Sequence, residues 1–134
     1  MGVAENKKIV NAYFDAVTSG NRKATEDLLA DDFFIWFPGS LPISGTHKGK
    51  DALFREVFEV VGRYVDPESE MFLEVTHMMG EGPYIVAEWT IRRKTAKGRD
   101  YENFFLALFE IKHAKIQSIR EYLDTLTAKQ VMFV

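Results

Sequence analysis

The side chains able to do chemistry in this 134-residue chain are few. Cysteine is absent, which removes disulfides, thiolate nucleophiles and sulfur-ligated zinc. His47, His77 and His113 form no His-x-His or His-Glu-x-x-His pattern and have no ladder of acids beside them, so no metal site is expected. His113 falls at a strand break and reads as a turn residue. His47 lies in a glycine-bounded loop, exposed or covering a pocket mouth. His77 alternates with Met71, Leu73, Val75 and Met79, as a hydrogen-bonded core histidine or a pocket residue. Two carboxyls sit in strand-like sequence, Glu88 in Ala87-Glu88-Trp89 and Glu121 before Tyr122. A carboxyl among apolar neighbours has its pKa raised and can serve as an acid or base. Equally, Glu121 could be a surface carboxylate paired with Arg92 or Arg93. Tyr13, on an apolar helix stripe, is either a core tyrosine or a donor to a ligand. Trp36, Tyr101 and Asn103 are pocket-wall candidates, and the Asn103 amide needs a partner in a neighbouring side chain or a ligand.

The elements that must position these groups follow from periodicity. Ile9, Val10, Tyr13, Phe14 and Val17 predict a helix over about 4–18. Asn21 is a fitting N-cap for a short second helix carrying Ala24, Leu28 and Leu29. Phe33-Phe34-Ile35-Trp36-Phe37, ended by Pro38-Gly39, reads as a strand. A loop then leads to a third helix striped by Leu53, Phe54, Val57, Phe58, Val61 and Tyr64. From about residue 69 the period becomes two, with strands predicted at about 69–79, 83–94, 100–112 and 116–123. Short breaks between long strands mean hairpins. Thr127 and Gln130 have capping-box spacing, though only a stub of helix fits after them. The expected fold class is α+β, three N-terminal helices on a curved antiparallel sheet, as a single domain over 1–134.

Composition narrows the partners. Seventeen basic and twenty acidic residues give a net charge of −3, which disfavours a nucleic-acid or anionic-membrane surface. The run from Arg92 to Arg99 holds five basic residues, explained by a strand end and hairpin tip bearing solvated charge. With no long apolar run and no signal-peptide start, the expected location is the cytoplasm. The 18 aromatics, as 11 Phe, 5 Tyr and 2 Trp, exceed what a one-sided sheet needs. In 101–111 one face carries Tyr101, Asn103, Phe105, Ala107, Phe109 and Ile111, and the other still carries Phe104, Leu106 and Leu108. A second apolar face calls for a cover, and a second copy of the chain is the expected one, as a homodimer through the sheet. Simple alternation puts Glu88 on the solvated face. A dimer through the sheet could invert that, with Glu88 in the pocket and Trp89 at the interface.

The helix, helix, strand, helix, meander order resembles the nuclear-transport-factor-like cone fold. So do Tyr13…Ser19-Gly20-Asn21, Leu29-Ala30-Asp31-Asp32, Phe37-Pro38-Gly39…Ser44-Gly45 and Lys115-Ile116…Ile119-Arg120-Glu121-Tyr122-Leu123-Asp124. The nearest branch is the SnoaL-like group, with ketosteroid isomerases and limonene epoxide hydrolases among its relatives. The resemblance implies a cystatin-like cone with an apolar pocket, commonly dimeric, lined here by Trp36, Phe37, Phe58, His77, Tyr101, Asn103 and Phe105. It places Tyr13 on the isomerases' oxyanion-hole tyrosine. It also places Phe37 and Ala107 where those enzymes keep aspartates, so classical ketosteroid isomerase chemistry is not expected. In the hydrolases and cyclases the resemblance matches Glu121 to an acid of the closing motif and brings Glu88 near a second acid. The hydrolase arginine two residues earlier is replaced by Val86. Glu121, Glu88 and Tyr13 are therefore the implied catalytic residues. Two functions remain in view. One is a cofactor-free isomerase, cyclase or hydrolase acting on a small apolar molecule; the other is a non-catalytic ligand-binding or dimeric association module.

Overall fold

A computed structural model describes residues 2–134. The first apolar stripe forms α1 (Val3–Thr18), which buries Val10, Tyr13 and Phe14. Gly20 follows at φ 67°, left-handed backbone that glycine adopts without strain. Asn21 caps α2 (Arg22–Asp27) by accepting from the Ala24 amide at 3.0 Å. Leu29, expected in that helix, instead opens β1 (Leu29–Phe37).

The third helical stretch has three segments, α3 (Lys50–Ala52), π-helical turns over Leu53–Phe58, and α4 (Glu59–Gly62). It buries Leu53, Phe54 and Val57 and ends at Gly62, short of Tyr64. The meander comprises β3 (Phe72–Glu81), β4 (Tyr84–Lys94), β5 (Asp100–Lys112) and β6 (Lys115–Leu123), all paired antiparallel.

Two features depart from the sequence expectation. The loop before α3 contains a further strand, β2 (Gly45–Lys48), which places His47 in the buried layer. The sheet is also mixed, because β1 lies parallel to β6 while pairing antiparallel with β2. Its order is β2-β1-β6-β5-β4-β3. Four-residue strands with a single polar–apolar switch carry too little periodicity to be seen. The parallel pairing depends on which helices carry the chain back across the sheet.

After β6 the chain forms α5 (Thr125–Thr127) and a π-helical turn over Ala128–Met132. The cap is Asp124 rather than Thr127, since the Asp124 carboxylate accepts from the Thr127 amide at 3.0 Å and its hydroxyl at 2.8 Å. Among the described residues no helix is long and apolar enough to cross a membrane.

One face of the sheet, with α1 and the third helical stretch over it, holds the core, including the fully buried Phe33, Ile35, Ile85, Phe109 and Ile119. Each such side chain contributes roughly 1.5–3 kcal/mol by leaving water. The other face keeps large apolar groups accessible, with Phe104 at 59% and Leu106 at 43% exposure.

The β5–β6 hairpin turns on His113 and Ala114, both left-handed at φ 52° and 62°. His113 is thus a turn residue, as expected. A two-residue loop of this kind favours glycine or asparagine. Ala114→Gly relieves a β-carbon clash and is expected to stabilise the fold by about 1 kcal/mol, read as a raised urea midpoint with unchanged m-value.

Candidate functional site

Alternation sorts the sheet into two populations. On β4 the inward side chains are Ile85, Ala87, Trp89, Ile91 and Arg93; on β5 they are Tyr101, Asn103, Phe105, Ala107 and Phe109; near the end of β6 they are Ile119, Glu121 and Leu123. These strands, α1, the third helical stretch and the C-terminal residues Met132 and Phe133 enclose a cavity of about 480 Å³. Its wall is aromatic. Trp89 and Phe105 stack at 5.3 Å with planes 7° apart, and Phe14 meets Trp89 edge-on at 4.9 Å.

Six of the sequence candidates border this cavity: Tyr13, Phe37, Phe58, Tyr101, Phe105 and Glu121. Glu121 is half-buried, and burial raises its pKa from 4.5 to about 8, so the carboxyl is protonated at neutral pH. It stands directly across from Ala107 in the β5–β6 register, where the small side chain leaves it room. Burial, and then the nearby Glu121, hold the Tyr13 phenol well above its ordinary value, so it stays a donor at all physiological pH. Burial likewise raises Tyr101, against the hydrogen bond from Asn103.

Asn103 faces inward but is fully engaged. Its Nδ2 donates to the Tyr101 hydroxyl at 2.6 Å and to the Asp124 carbonyl at 3.0 Å. Its Oδ1 accepts from the Phe104 amide at 2.7 Å and from the Asp124 amide at 3.3 Å. The amide therefore satisfies itself on neighbours and does not border the cavity. Because the Tyr101 oxygen accepts from Asn103, its own proton is left to donate elsewhere.

Three candidates lie on the opposite side of the sheet, so the expectation that they line the pocket is corrected. Glu88 follows plain alternation outward, where its carboxylate accepts from the Thr76 hydroxyl at 2.9 Å and meets His77 Nδ1 at 2.8 Å. These bonds lower its pKa, the reverse of Glu121. A β-bulge between Val75 and His77 explains His77: the extra residue shifts the register, turning His77 out toward Glu88 and Met78 inward. Trp36, of opposite parity to Ile35 and Phe37, packs edge-on against outward-facing Tyr122 at 5.3 Å. His47 corrects in the other sense. Rather than being exposed, it is buried between the Ile43 carbonyl at 2.7 Å and the Glu56 carboxylate at 2.8 Å.

The sequence reading missed Arg93, Met71 and the C-terminal Met132 and Phe133, which border the cavity. For Arg93 the signal was present, since Ala87, Trp89, Ile91 and Arg93 share one parity, but the surrounding basic run hid it. Among the described residues no group of three or more His, Asp or Glu could hold a metal ion.

Comparison with known proteins bears on the whole chain. The SnoaL-like domain model matches residues 10–119. An NTF2-like protein from Burkholderia xenovorans superposes with a TM-score of 0.83 at 25% identity, covering 98% of each chain. TerC co-crystallised with polyporic acid superposes at 0.84 with 14% identity, covering 96% of this chain and 98% of TerC. A protein with a cystatin-like fold from Xanthomonas campestris gives 0.76 at 18% identity, covering 96% and 97%. At these lower identities the likeness is one of fold. No curated protein matches the chain in sequence.

The raised Glu121 pKa has a consequence for stability. The native state holds this proton more tightly than the unfolded chain, so this group's contribution is full below pH 4.5, declines as pH rises, and is lost above about 8. Glu121→Gln is expected to match the wild type at pH 5 and to exceed it at pH 9 by on the order of 2–4 kcal/mol in urea unfolding. An equal difference at both pH values would place the carboxyl in contact with bulk water.

Proposed function

This chain belongs to the SnoaL-like domain family, and we propose that its cavity binds a small, mostly apolar organic molecule on which Glu121 performs cofactor-free acid–base chemistry. The observation that carries this reading is a carboxyl on the wall of an aromatic cavity, its pKa raised by burial to about 8, with the Tyr13 and Tyr101 hydroxyls in its electrostatic neighbourhood. A carboxylic acid kept neutral at pH 7 gives its proton to a substrate oxygen, such as a carbonyl or epoxide. The resulting carboxylate then recovers a proton from carbon or from water. A phenol that cannot ionise stabilises developing negative charge by hydrogen bonding. Isomerisation, cyclisation, hydration and epoxide opening all fit this sequence of events. TerC, of similar fold, was crystallised with polyporic acid, which supports a small organic molecule as the occupant.

The arrangement weighs against two alternatives. Phe37 borders the cavity and Ala107 lies in the core, so no carboxylate stands where steroid enolisation would need its base. Val86 and Glu88 face away from the cavity, so a two-acid cluster with Glu121 is not assembled.

The outer face supports the remaining element of the reading, a homodimer through the sheet. Phe104, Leu106, Tyr122 and Phe72 are each more than 40% exposed, a larger apolar showing than scattered surface residues give. The association-module alternative would use this same face without chemistry in the cavity.

Two outcomes are expected. With styrene oxide and 2-tetralone as probe substrates, turnover follows a single ionisation near pH 8, falling on the alkaline side because the acid form is the active one. Glu121→Gln lowers it by about 10²–10⁴-fold, and full activity in that variant would sink the catalytic reading. In sedimentation velocity the wild type runs as a dimer and Phe104→Glu as a folded monomer; a monomeric wild type removes the dimer.

A further inference from the structure

The inward row of β4 ends on a charge. Arg93 follows Ala87, Trp89 and Ile91 on the concave face and borders the cavity beside Tyr101 and Met71. Its neighbours in the basic run are paired in solvent, Arg92 with Glu102 at 2.6 Å and Lys94 with Asp100 at 2.7 Å. Arg93 has no such partner among the described residues. Its Nε is buried with no hydrogen-bond acceptor, and its Nη1 reaches only the Met71 thioether sulfur, at 3.4 Å. A thioether is a weak acceptor. Glu121 shares the cavity but forms no ion pair with Arg93.

Arg93 is half-buried against apolar walls with no anion beside its guanidinium, and this partial burial lowers its pKa. The planar fork of Arg donors matches a carboxylate bidentately. The Tyr101 hydroxyl, which interacts electrostatically with Arg93, accepts from Asn103 and keeps its own proton free to donate. Apolar wall, cation and oriented donor therefore converge on one cavity.

Resting on the reading that this cavity binds a small apolar molecule, we propose that its ligand is an organic acid. The apolar body lies along the Trp89–Phe105 wall, and the carboxylate, or an equally acidic enol or phenol, is received by Arg93 and the Tyr101 hydroxyl. Arg93 thus determines specificity, and Glu121 is left as the neutral acid. The cavity volume of about 480 Å³ suits a drug-sized ligand.

The test compares matched probes by isothermal titration calorimetry at pH 7. Benzoate, 2-naphthoate and biphenyl-4-carboxylate are each set against the corresponding primary amide. At least one acid is expected to bind tenfold or more tightly than its amide. Arg93→Met should erase that preference by weakening acid binding far more than amide binding, and Arg93→Lys should retain part of it. The unliganded Arg93→Met protein should melt at the same temperature as the wild type or higher, because an unpaired charge has been removed; a purely structural arginine would lower it. If acids and amides bind equally well to the wild type, the cavity reading stands and the anion receptor is overturned. If none of the probes binds, the cavity reading fails and carries the receptor with it. The wild-type comparison decides the matter even if a variant fails to fold.

Discussion

A strand presents alternate side chains to opposite sides, and a sheet with a single concave face admits only one of those two sets to the space it encloses. The organisation of this protein depends on that constraint. On β4 it admits Trp89, Ile91 and Arg93 and excludes Glu88; on β5 it admits Tyr101, Phe105 and Ala107 and excludes Phe104 and Leu106. The exceptions come from bulges, and they matter chemically. One inserted residue in β3 separates His77 from Leu73 and Val75 and gives it to Glu88 on the other face. The same imidazole one register away would face the core, where Met78 packs instead.

Within the enclosed space the aromatic wall sets the energetics of the polar groups. Desolvation holds the Glu121 proton on, keeps the Tyr13 and Tyr101 phenols un-ionised, and lowers the pKa of Arg93. Asn103 is committed entirely to its protein neighbours. By spending both amide hydrogens and its carbonyl on Tyr101, Phe104 and Asp124, it joins β5 to the chain leaving β6. A side chain with every lone pair and proton committed is rigid, and the tyrosine it addresses is fixed as a donor. The aromatic richness therefore provides a low-dielectric wall that gives ordinary residues unusual protonation states.

The elements were legible wherever the period was long. α1, the four long strands and the Asn21 cap follow from spacing, and β5 has the bounds expected because Ala96-Lys97-Gly98 and His113-Ala114 break the pattern on either side of it. β2, with four residues, and the β1–β6 pairing were not, since neither leaves a local pattern. For the site, parity alone was sufficient at Glu88, whose outward position follows from Ala87 and Trp89. It would also have been sufficient at Arg93, had the basic run not been read as one solvated block. It was insufficient at His77, because nothing in Val75-Thr76-His77 marks the bulge. For Asn103 the sequence could pose the question of a partner, but the answer lies in Asp124, twenty-one residues away.

The pairing of Glu121 with Ala107 sets what the β5–β6 pair can carry into the cavity. Side chains directly opposite on neighbouring antiparallel strands have β-carbons roughly 5 Å apart. The resemblance to ketosteroid isomerases places an aspartate at position 107, on β5, whereas this chain carries its carboxyl across the strand pair on β6. Two carboxyls at that separation in a desolvated cavity would contend for one proton, each disfavouring the other's ionisation. An acid at 121 is therefore best matched by a small neutral residue at 107, and alanine also frees the volume that the longer glutamate occupies. The small residue at 107 and the long carboxyl at 121 thus answer one packing requirement. The relocated carboxyl enters the cavity from β6, still beside Tyr13 and Tyr101, while Arg93 approaches from β4. The acid and the guanidinium thus reach one cavity from different strands of the same wall.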